Sequence, residues 1–209
     1  MIQIENLTFH YREREHTFSF PNITLGTQED LLILGKSGVG KTTFLHLLAG
    51  LLTPASGKVL IDGIDINSLS ISKLDAFRGK HIGLVFQKKH AIQSLSVLEN
   101  LKARLFFSKK NIVNSKIEGL LNELDLGSYK NSKLNELSEG QLQRLNIAMS
   151  VVHQPKVILA DEPTSSLDDQ NCNIVINLLQ KQAEQTNANL VVITHDSRIK
   201  EYFQNTIEL

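Results

Sequence analysis

Between Gly35 and Thr42 the chain reads Gly, Lys, Ser, Gly, Val, Gly, Lys, Thr, which fits the spacing G-x-x-x-x-G-K-S/T. The chemistry suited to that spacing is anion handling. Glycines let successive backbone N–H groups turn toward a phosphate chain, and a helix beginning near Lys41 aims its positive end at the same anion. Gly35, Lys36, Ser37, Gly38, Val39 and Gly40 would form the cradle, with Thr43 continuing it into the helix. Lys41 would neutralise the β- and γ-phosphates, and the Thr42 hydroxyl would ligate Mg²⁺.

Four other places carry groups that suit such a site. Asp161 and Glu162 close an apolar run. Beside a phosphate loop, an Asp there holds Mg²⁺ through its shell, and an adjacent Glu orients or deprotonates a water attacking the γ-phosphate. The plainer account is that acidic residues start turns and Pro163 favours one. Gln87 offers an uncharged ligand for Mg²⁺ or for that water. His195 could donate to the γ-phosphate and sense its loss, or be an ordinary strand-end histidine. In Leu137–Gln141, Ser138 and Gln141 make a capping box by themselves. A capping box does not require Gly140 in the first turn, where glycine costs about 1 kcal/mol relative to alanine. Close approach of an anion would require it, and a spare anion-binding helix end suggests that it caps a nucleotide held by another subunit.

The elements that must position these groups are short apolar runs alternating with helical stretches. Leu31–Leu34, Ile82–Phe86, Val157–Ala160 and Leu190–Thr194 are almost wholly apolar, as strands buried on both faces of a parallel sheet are. Helices are expected over Lys41–Ala49, Ser138–His153 and Asn171–Gln185, which predicts an α/β layered core. Residues 2–9 and 16–20 read as a hairpin joined around Arg12–Arg14, which Lys58–Asp62 could join in a small antiparallel sheet. From about Lys88 to Tyr129 the strand signal vanishes. A capping box at Ser96 and Glu99 starts a helix through Phe107, and a second runs over Ile112–Leu124. This stretch reads as an inserted helical lobe. In open α/β sheets ligands bind beyond the carboxyl ends of the strands, so parallel neighbours would bring Gly35–Thr42, Gln87, Asp161–Glu162 and His195 to one crevice.

Composition narrows the classes. The 209 residues carry 22 Lys+Arg against 22 Asp+Glu, with 41% hydrophobic and 21% charged residues, so a largely disordered chain is excluded. Zero net charge offers no basic excess with which to grip nucleic acid through phosphates. One cysteine, Cys172, rules out an internal disulfide and fits a reducing compartment. No apolar stretch approaches the ~18–20 residues that cross a bilayer, and the first residues lack the pattern of a secretory signal. Work at a membrane would therefore go through a partner. His10, His16, His46, His81, His90, His153 and Cys172 are expected to have surface or packing roles.

The ordered set Gly35–Thr42, Gln87, Leu137–Gln141, Val157–Glu162, Ser165–Asp168 and His195 resembles the nucleotide-binding subunit of ABC transporters over essentially the whole chain. That resemblance implies a P-loop NTPase core with a mostly parallel sheet, an N-terminal antiparallel β subdomain and an inserted helical lobe. One domain would span 1–209, with its core in about 1–87 and 154–209 and its lobe in about 88–153. It implies Walker A at Gly35–Thr42, a Q-loop at Gln87 and the signature at Leu137–Gln141. It further implies Walker B ending at Asp161, a catalytic glutamate at Glu162, a D-loop through Asp168 and a switch histidine at His195. Tyr11 resembles the aromatic that stacks on adenine, or else packs a hairpin end. The family implies an Mg-dependent ATPase, acting as a head-to-tail dimer around two ATP. Ser138 and the Gly140 backbone of one subunit would then touch the γ-phosphate held by the other. The implied place is the cytoplasmic face of the inner membrane, through a transmembrane permease subunit.

Several residues depart from the family's pattern. Glu139 replaces the second glycine of the usual LSGGQ, and it is expected to face solvent or the partner. Met149 stands where many members have arginine. With little beyond His195, no regulatory C-terminal domain is expected. Ile82–Gln87 and Ala160–Thr164 are similar to the lipoprotein-releasing, macrolide-export and cell-division branch, while the segment after Gln87 lacks that branch's usual proline. The competing readings are an ATP-switched dimeric scaffold not coupled to transport and a nucleic-acid-handling ATPase of the same family, the latter weakened by zero net charge.

Overall fold

The computed structural model of the chain describes residues 1–11, 16–86, 90–165 and 167–209. In order its elements are β1 (Ile2–His10), β2 (Thr17–Ser19), β3 (Ile23–Leu25), β4 (Asp30–Leu34), α1 (Lys41–Leu48), β5 (Ser56–Ile61), β6 (Ile64–Asp65), α2 (Ile71–His81) and β7 (Ile82–Val85). They continue with α3 (Val97–Phe107), α4 (Asn114–Glu123), α5 (Glu139–Val151), β8 (Val157–Asp161), α6 (Asp169–Thr186), β9 (Asn189–Thr194) and β10 (Thr206–Glu208).

Two sheets form. One is antiparallel: β1 pairs with β2, β3 and β5, and β5 turns back into β6. The other runs β10-β4-β9-β8-β7, with every neighbouring pair parallel. The four apolar runs are thus consecutive strands of one sheet, and their carboxyl ends lie along one edge. β10 is a fifth parallel strand that the sequence pattern did not announce, because Thr206–Glu208 is too short and too polar to show a period. Arg12–Arg14, expected to join the hairpin, and Gln87 lie outside the described residues.

Why the central strands lack alternation is visible in the packing. Leu31, Ile33, Leu159, Val191 and Ile193 face one core, shared with α1 and the antiparallel sheet. Leu32, Leu34, Ile158, Ala160, Leu190 and Val192 face a second core, shared with α3, α4, α5 and α6. Side chains still alternate with period 2, but both faces are covered by apolar layers.

Helices α3, α4 and α5 occupy the stretch expected to be helical. Ser96 and Glu99 complete the expected capping box, with Ser96 N donating to Glu99 Oε2 at 2.7 Å and Glu99 N to Ser96 Oγ at 3.2 Å. Helix α5 is held hard against the sheet. A Cβ on Gly83 of β7 would fall 2.1 Å from the Ser150 carbonyl of α5, so only glycine permits that approach. At its other end, Gln143 Nε2 donates to the Pro163 carbonyl at 3.2 Å and Asn146 Nδ2 to the Phe86 carbonyl at 3.0 Å. Those bonds fix α5 to the segments leaving β8 and β7.

Candidate active site

The loop from Gly35 to Gly40 leaves β4 and ends as the cap of α1. Gly40 has φ +107°, and a Cβ there would lie 2.6 Å from Phe18 Cδ1, so glycine is required twice over. No side chain caps α1 and no acidic residue stands in its first turn. Its leading N–H groups are therefore presented to an anion. Lys36, Ser37 and Gly38 are exposed, whereas Lys41 is buried, its Nζ donating to the carbonyls of Gly35 at 2.7 Å and Lys36 at 3.1 Å. The lysine closes its own loop and points its charge into the cradle.

The ends of β8 and β9 meet that loop. Thr42 Oγ1 donates to Asp161 Oδ2 at 3.0 Å, joining residues 119 positions apart. Asp161 is buried, and among the described residues its Oδ1 has no hydrogen-bond partner. Burial pushes its carboxyl up, with Glu162 adding to that push and the Thr42 hydroxyl opposing it. A buried oxygen without a donor, beside a hydroxyl, fits a hard divalent cation such as Mg²⁺. Among the described residues no group of three or more His, Cys, Asp or Glu could hold a metal, so further ligands would have to be water and phosphate oxygens.

Glu162 leaves the strand with φ +48°, outside the right-handed region that the following Pro163 disfavours. Its Oε2 accepts from Thr194 Oγ1 at 2.7 Å and from the His195 backbone N–H at 3.3 Å. Its Oε1 meets His195 Nδ1 at 2.9 Å and Lys41 Nζ at 3.5 Å. Burial pushes this carboxyl up, and the bonds from the His195 ring, the Thr194 hydroxyl and the His195 N–H outweigh it, leaving the group below its ordinary value. Sequence reasoning missed Thr194. The available signal was its position, last in an apolar strand and next to His195. Beyond it Asp196 is clamped by Arg198 and by the Thr164 hydroxyl at 3.0 Å, and its carboxyl is pulled down to about 2, chiefly by Arg198.

The other expected residues are placed differently. The Tyr11 hydroxyl meets Thr43 Oγ1 at 2.9 Å, and its ring stands edge-on to Phe9 and Phe18, beside the first turn of α1. Asp168 is the N-cap of α6, accepting from Asn171 N at 2.8 Å, so its carboxylate is engaged locally. Ser138 caps α5: Ser138 N donates to Gln141 Oε1 at 2.8 Å and Gln141 N to Ser138 Oγ at 3.3 Å. Ser138, Glu139 and Gly140 are exposed, and a Cβ on Gly140 would meet nothing within 4 Å. Among the described residues nothing requires glycine at that tip. Met149 packs against the helical core.

A glycine loop on a helix N-terminus, its buried lysine, and acid and histidine groups from adjacent parallel strands define the class: a P-loop nucleoside-triphosphate-binding α/β protein. The pattern of the ABC transporter family matches residues 20–165. The chain is 37% identical over 203 residues to the lipoprotein-releasing system ATP-binding protein LolD of Buchnera aphidicola subsp. Schizaphis graminum, covering 95% of this chain and 89% of that protein. To LolD of Shewanella frigidimarina it is 32% identical over 204 residues, 95% and 85% of the two chains. A dimeric, post-hydrolysis structure of the ATP-binding cassette MJ0796 bound to ADP and Pi matches with TM-score 0.88 at 32% identity, covering 100% of this chain and 94% of that one. CbiO1 of Clostridium perfringens, part of the transporter complex cbiONQ, matches with TM-score 0.87 at 27% identity over 99% and 83%. The chain belongs to the ABC transporter family, as an ATP-binding subunit with the ABC ATPase fold.

Proposed function

We propose that this subunit hydrolyses ATP as a head-to-tail dimer, each site completed by the α5 tip of the other copy, and that it drives a separate transmembrane permease of the lipoprotein-releasing kind from the cytoplasmic face of the inner membrane. One ATPase domain does this, with a core in about 1–87 and 154–209 and a lobe in about 88–153. The kinship with LolD, the ATP-binding protein of a lipoprotein-releasing system, supports the permease class. Gly35–Thr43 binds the phosphates, Tyr11 takes the adenine side, and Thr42, Asp161 and Gln87 hold Mg²⁺. That cation, when bound, draws phosphate charge toward itself and supports the departure of ADP.

The chain's own groups do the rest. Lys41 exchanges the carbonyls of Gly35 and Lys36 for phosphate oxygens. Glu162 receives the proton of the attacking water, or aligns that water, and His195 donates to the γ-phosphate. Ser138, Gly140 and Gln141 of the opposite copy close the site, and Asp168 lies at the seam between copies. The single observation carrying this reading is the Glu162 carboxylate, held between Lys41 and His195 at the ends of parallel strands. Glu162→Gln should keep ATP binding, accumulate an ATP-dependent dimer on size exclusion, and lower turnover by about 10²–10⁴-fold. Turnover at the wild-type rate would remove Glu162 from the chemistry.

A further inference from the structure

The two oxygens of Glu162 have different kinds of neighbour. Oε1 faces two cationic side chains, His195 and Lys41. Both have phosphate to serve once ATP is bound, so both contacts are available to be exchanged. Oε2 is held instead by the Thr194 hydroxyl and a backbone N–H, which belong to the end of the sheet. Thr194 is 0% exposed, its backbone is paired with Leu34 of β4, and its β-branch restricts χ1. Its hydroxyl accepts from Asp196 N at 3.0 Å. With that acceptor position used, and a carboxylate able only to accept, the hydroxyl proton is directed at Oε2.

Resting on the reading of Glu162 given above, we infer that Thr194 is a positioning residue for hydrolysis: it anchors Glu162 through Oε2 and so assigns Oε1 as the oxygen that meets the attacking water. The backbone makes such an anchor necessary. Glu162 sits at φ +48° on a turn, not within the strand, and after Lys41 and His195 turn to phosphate its side chain is held, among the described residues, by the Thr194 hydroxyl at 2.7 Å and by the longer 3.3 Å bond from the His195 N–H. A base must lie within about 2.6–3.2 Å of the proton it takes, and a displacement of about 1 Å costs on the order of 10²-fold in rate. A fully buried threonine also fills space, and the test must separate that duty from positioning.

Thr194→Val, Thr194→Ser, Glu162→Gln and the Thr194→Val/Glu162→Gln double variant of the full chain should be compared for turnover, ATP affinity and ATP-dependent dimerisation. Thr194→Val is expected to lower kcat by about 10–100-fold, with ATP affinity within about twofold of wild type and the dimer still formed. Thr194→Ser, which keeps the hydroxyl, should stay within about threefold of the wild-type kcat. In the Glu162→Gln background the valine change should cost nothing more, because the group it positions is already gone. A full further loss on top of Glu162→Gln overturns the inference, as does equal loss of affinity and kcat, or wild-type turnover by Thr194→Val. If the valine variant does not fold, the pair Thr194→Ala and Thr194→Ser, differing by one hydroxyl, carries the same comparison. Wild-type turnover by Glu162→Gln itself would defeat the underlying role of the glutamate, an outcome distinct from these.

Discussion

Two helix N-termini in this molecule are built for exposure to something outside the helix, and they are finished to different degrees. At α1 the cap is a glycine with no side-chain bond, and the surrounding groups come from far away in sequence: Asp161 reaches Thr42 across 119 positions and Lys41 meets Glu162. At α5 the cap is Ser138, bonded to Gln141 only three positions on, with acidic Glu139 in the first turn. Helix α5 is nevertheless fixed near both of its ends, through Gly83 against Ser150 and through Gln143 and Asn146. So one terminus gathers side chains from distant parts of the chain, while the other, capped locally by Ser138 and Gln141, stands exposed. That difference is what a composite site between two copies needs. Each copy keeps a complete phosphate-binding half and offers a pre-shaped tip to the other. Glu139 marks the cost of this arrangement, since a carboxylate favours its own helix N-terminus but competes there with an incoming anion.

The largest effect that would sharpen the contrast is at Lys41. Lys41→Ala removes a buried cation of the α1 half, and ATP binding by the isolated subunit should weaken by about 10²-fold or more, with hydrolysis abolished. Equilibrium binding of a fluorescent ATP analogue reads this directly. Near-normal binding would break the claim that Lys41 is needed to hold the phosphates in the α1 half. At α5 the opposite is expected. A side chain on Gly140 points into open space, so Gly140→Leu should leave the fold intact and stabilise α5 by up to about 1 kcal/mol. ATP binding should persist while dimerisation and turnover fall, turnover by about 10²-fold. A Gly140→Leu protein that hydrolyses at the wild-type rate would show that the tip caps nothing.

A third expectation concerns the base of α5. His153 is 1% exposed, its Nε2 lies 3.1 Å from the Ile82 carbonyl and 3.0 Å from Arg104 Nη2, and burial, with the Arg104 charge, lowers its pKa to about 3. Arg104 also donates to the Ile82 carbonyl at 3.0 Å, which holds its positive charge beside the ring and opposes a proton there. The unfolded chain takes up a proton near pH 6.5, and the folded one does not until about pH 3. Stability is therefore full above pH 6.5 and falls as pH drops through that window, by up to about 1.4 kcal/mol per unit. Urea midpoints at pH 7 and pH 5 should move further apart for wild type than for His153→Gln. An equal shift in both proteins would place the sensitivity elsewhere.

How much of this could be read from residues alone follows from range. Leu31–Leu34 and its three companions announce a doubly covered parallel sheet because burial on both faces forces unbroken apolar runs, and a parallel sheet brings strand ends together. The capping boxes at Ser96 and Ser138 are local, four-residue facts, and equally legible. Helix α2 gives little signal, since Phe77 is its only buried residue. Thr194 was invisible for a different reason: a hydroxyl acquires a role only through what stands opposite it, here Glu162, 32 positions earlier. The left-handed turn at Glu162 belongs to the same class, because no residue type there demands it. Asp168 caps α6 through a bond from Asn171 three positions on, a local fact of the same kind as the capping boxes.

The smallest effect lies at the margin of the α1 half, where Tyr11 is 37% exposed. Its ring packs edge-on against Phe9 and Phe18 at centroid distances of 4.8 and 6.2 Å, which is how a hairpin end would be sealed. Its hydroxyl also reaches Thr43 on the first turn of α1, which places the ring next to the phosphate loop. The two duties separate by substitution. Stacking of a base on an aromatic ring contributes about 1–3 kcal/mol, and on a ring this exposed the low end applies, so Tyr11→Ala should weaken ATP binding about fivefold, while Tyr11→Phe, which keeps the ring and loses only the Thr43 bond, should bind ATP almost normally. Binding of inorganic triphosphate, which has no base, should not distinguish the three proteins. If Tyr11→Ala loses affinity for ATP and triphosphate alike, the ring acts by supporting the loop through Thr43 and Phe18, and the base must be held by other residues.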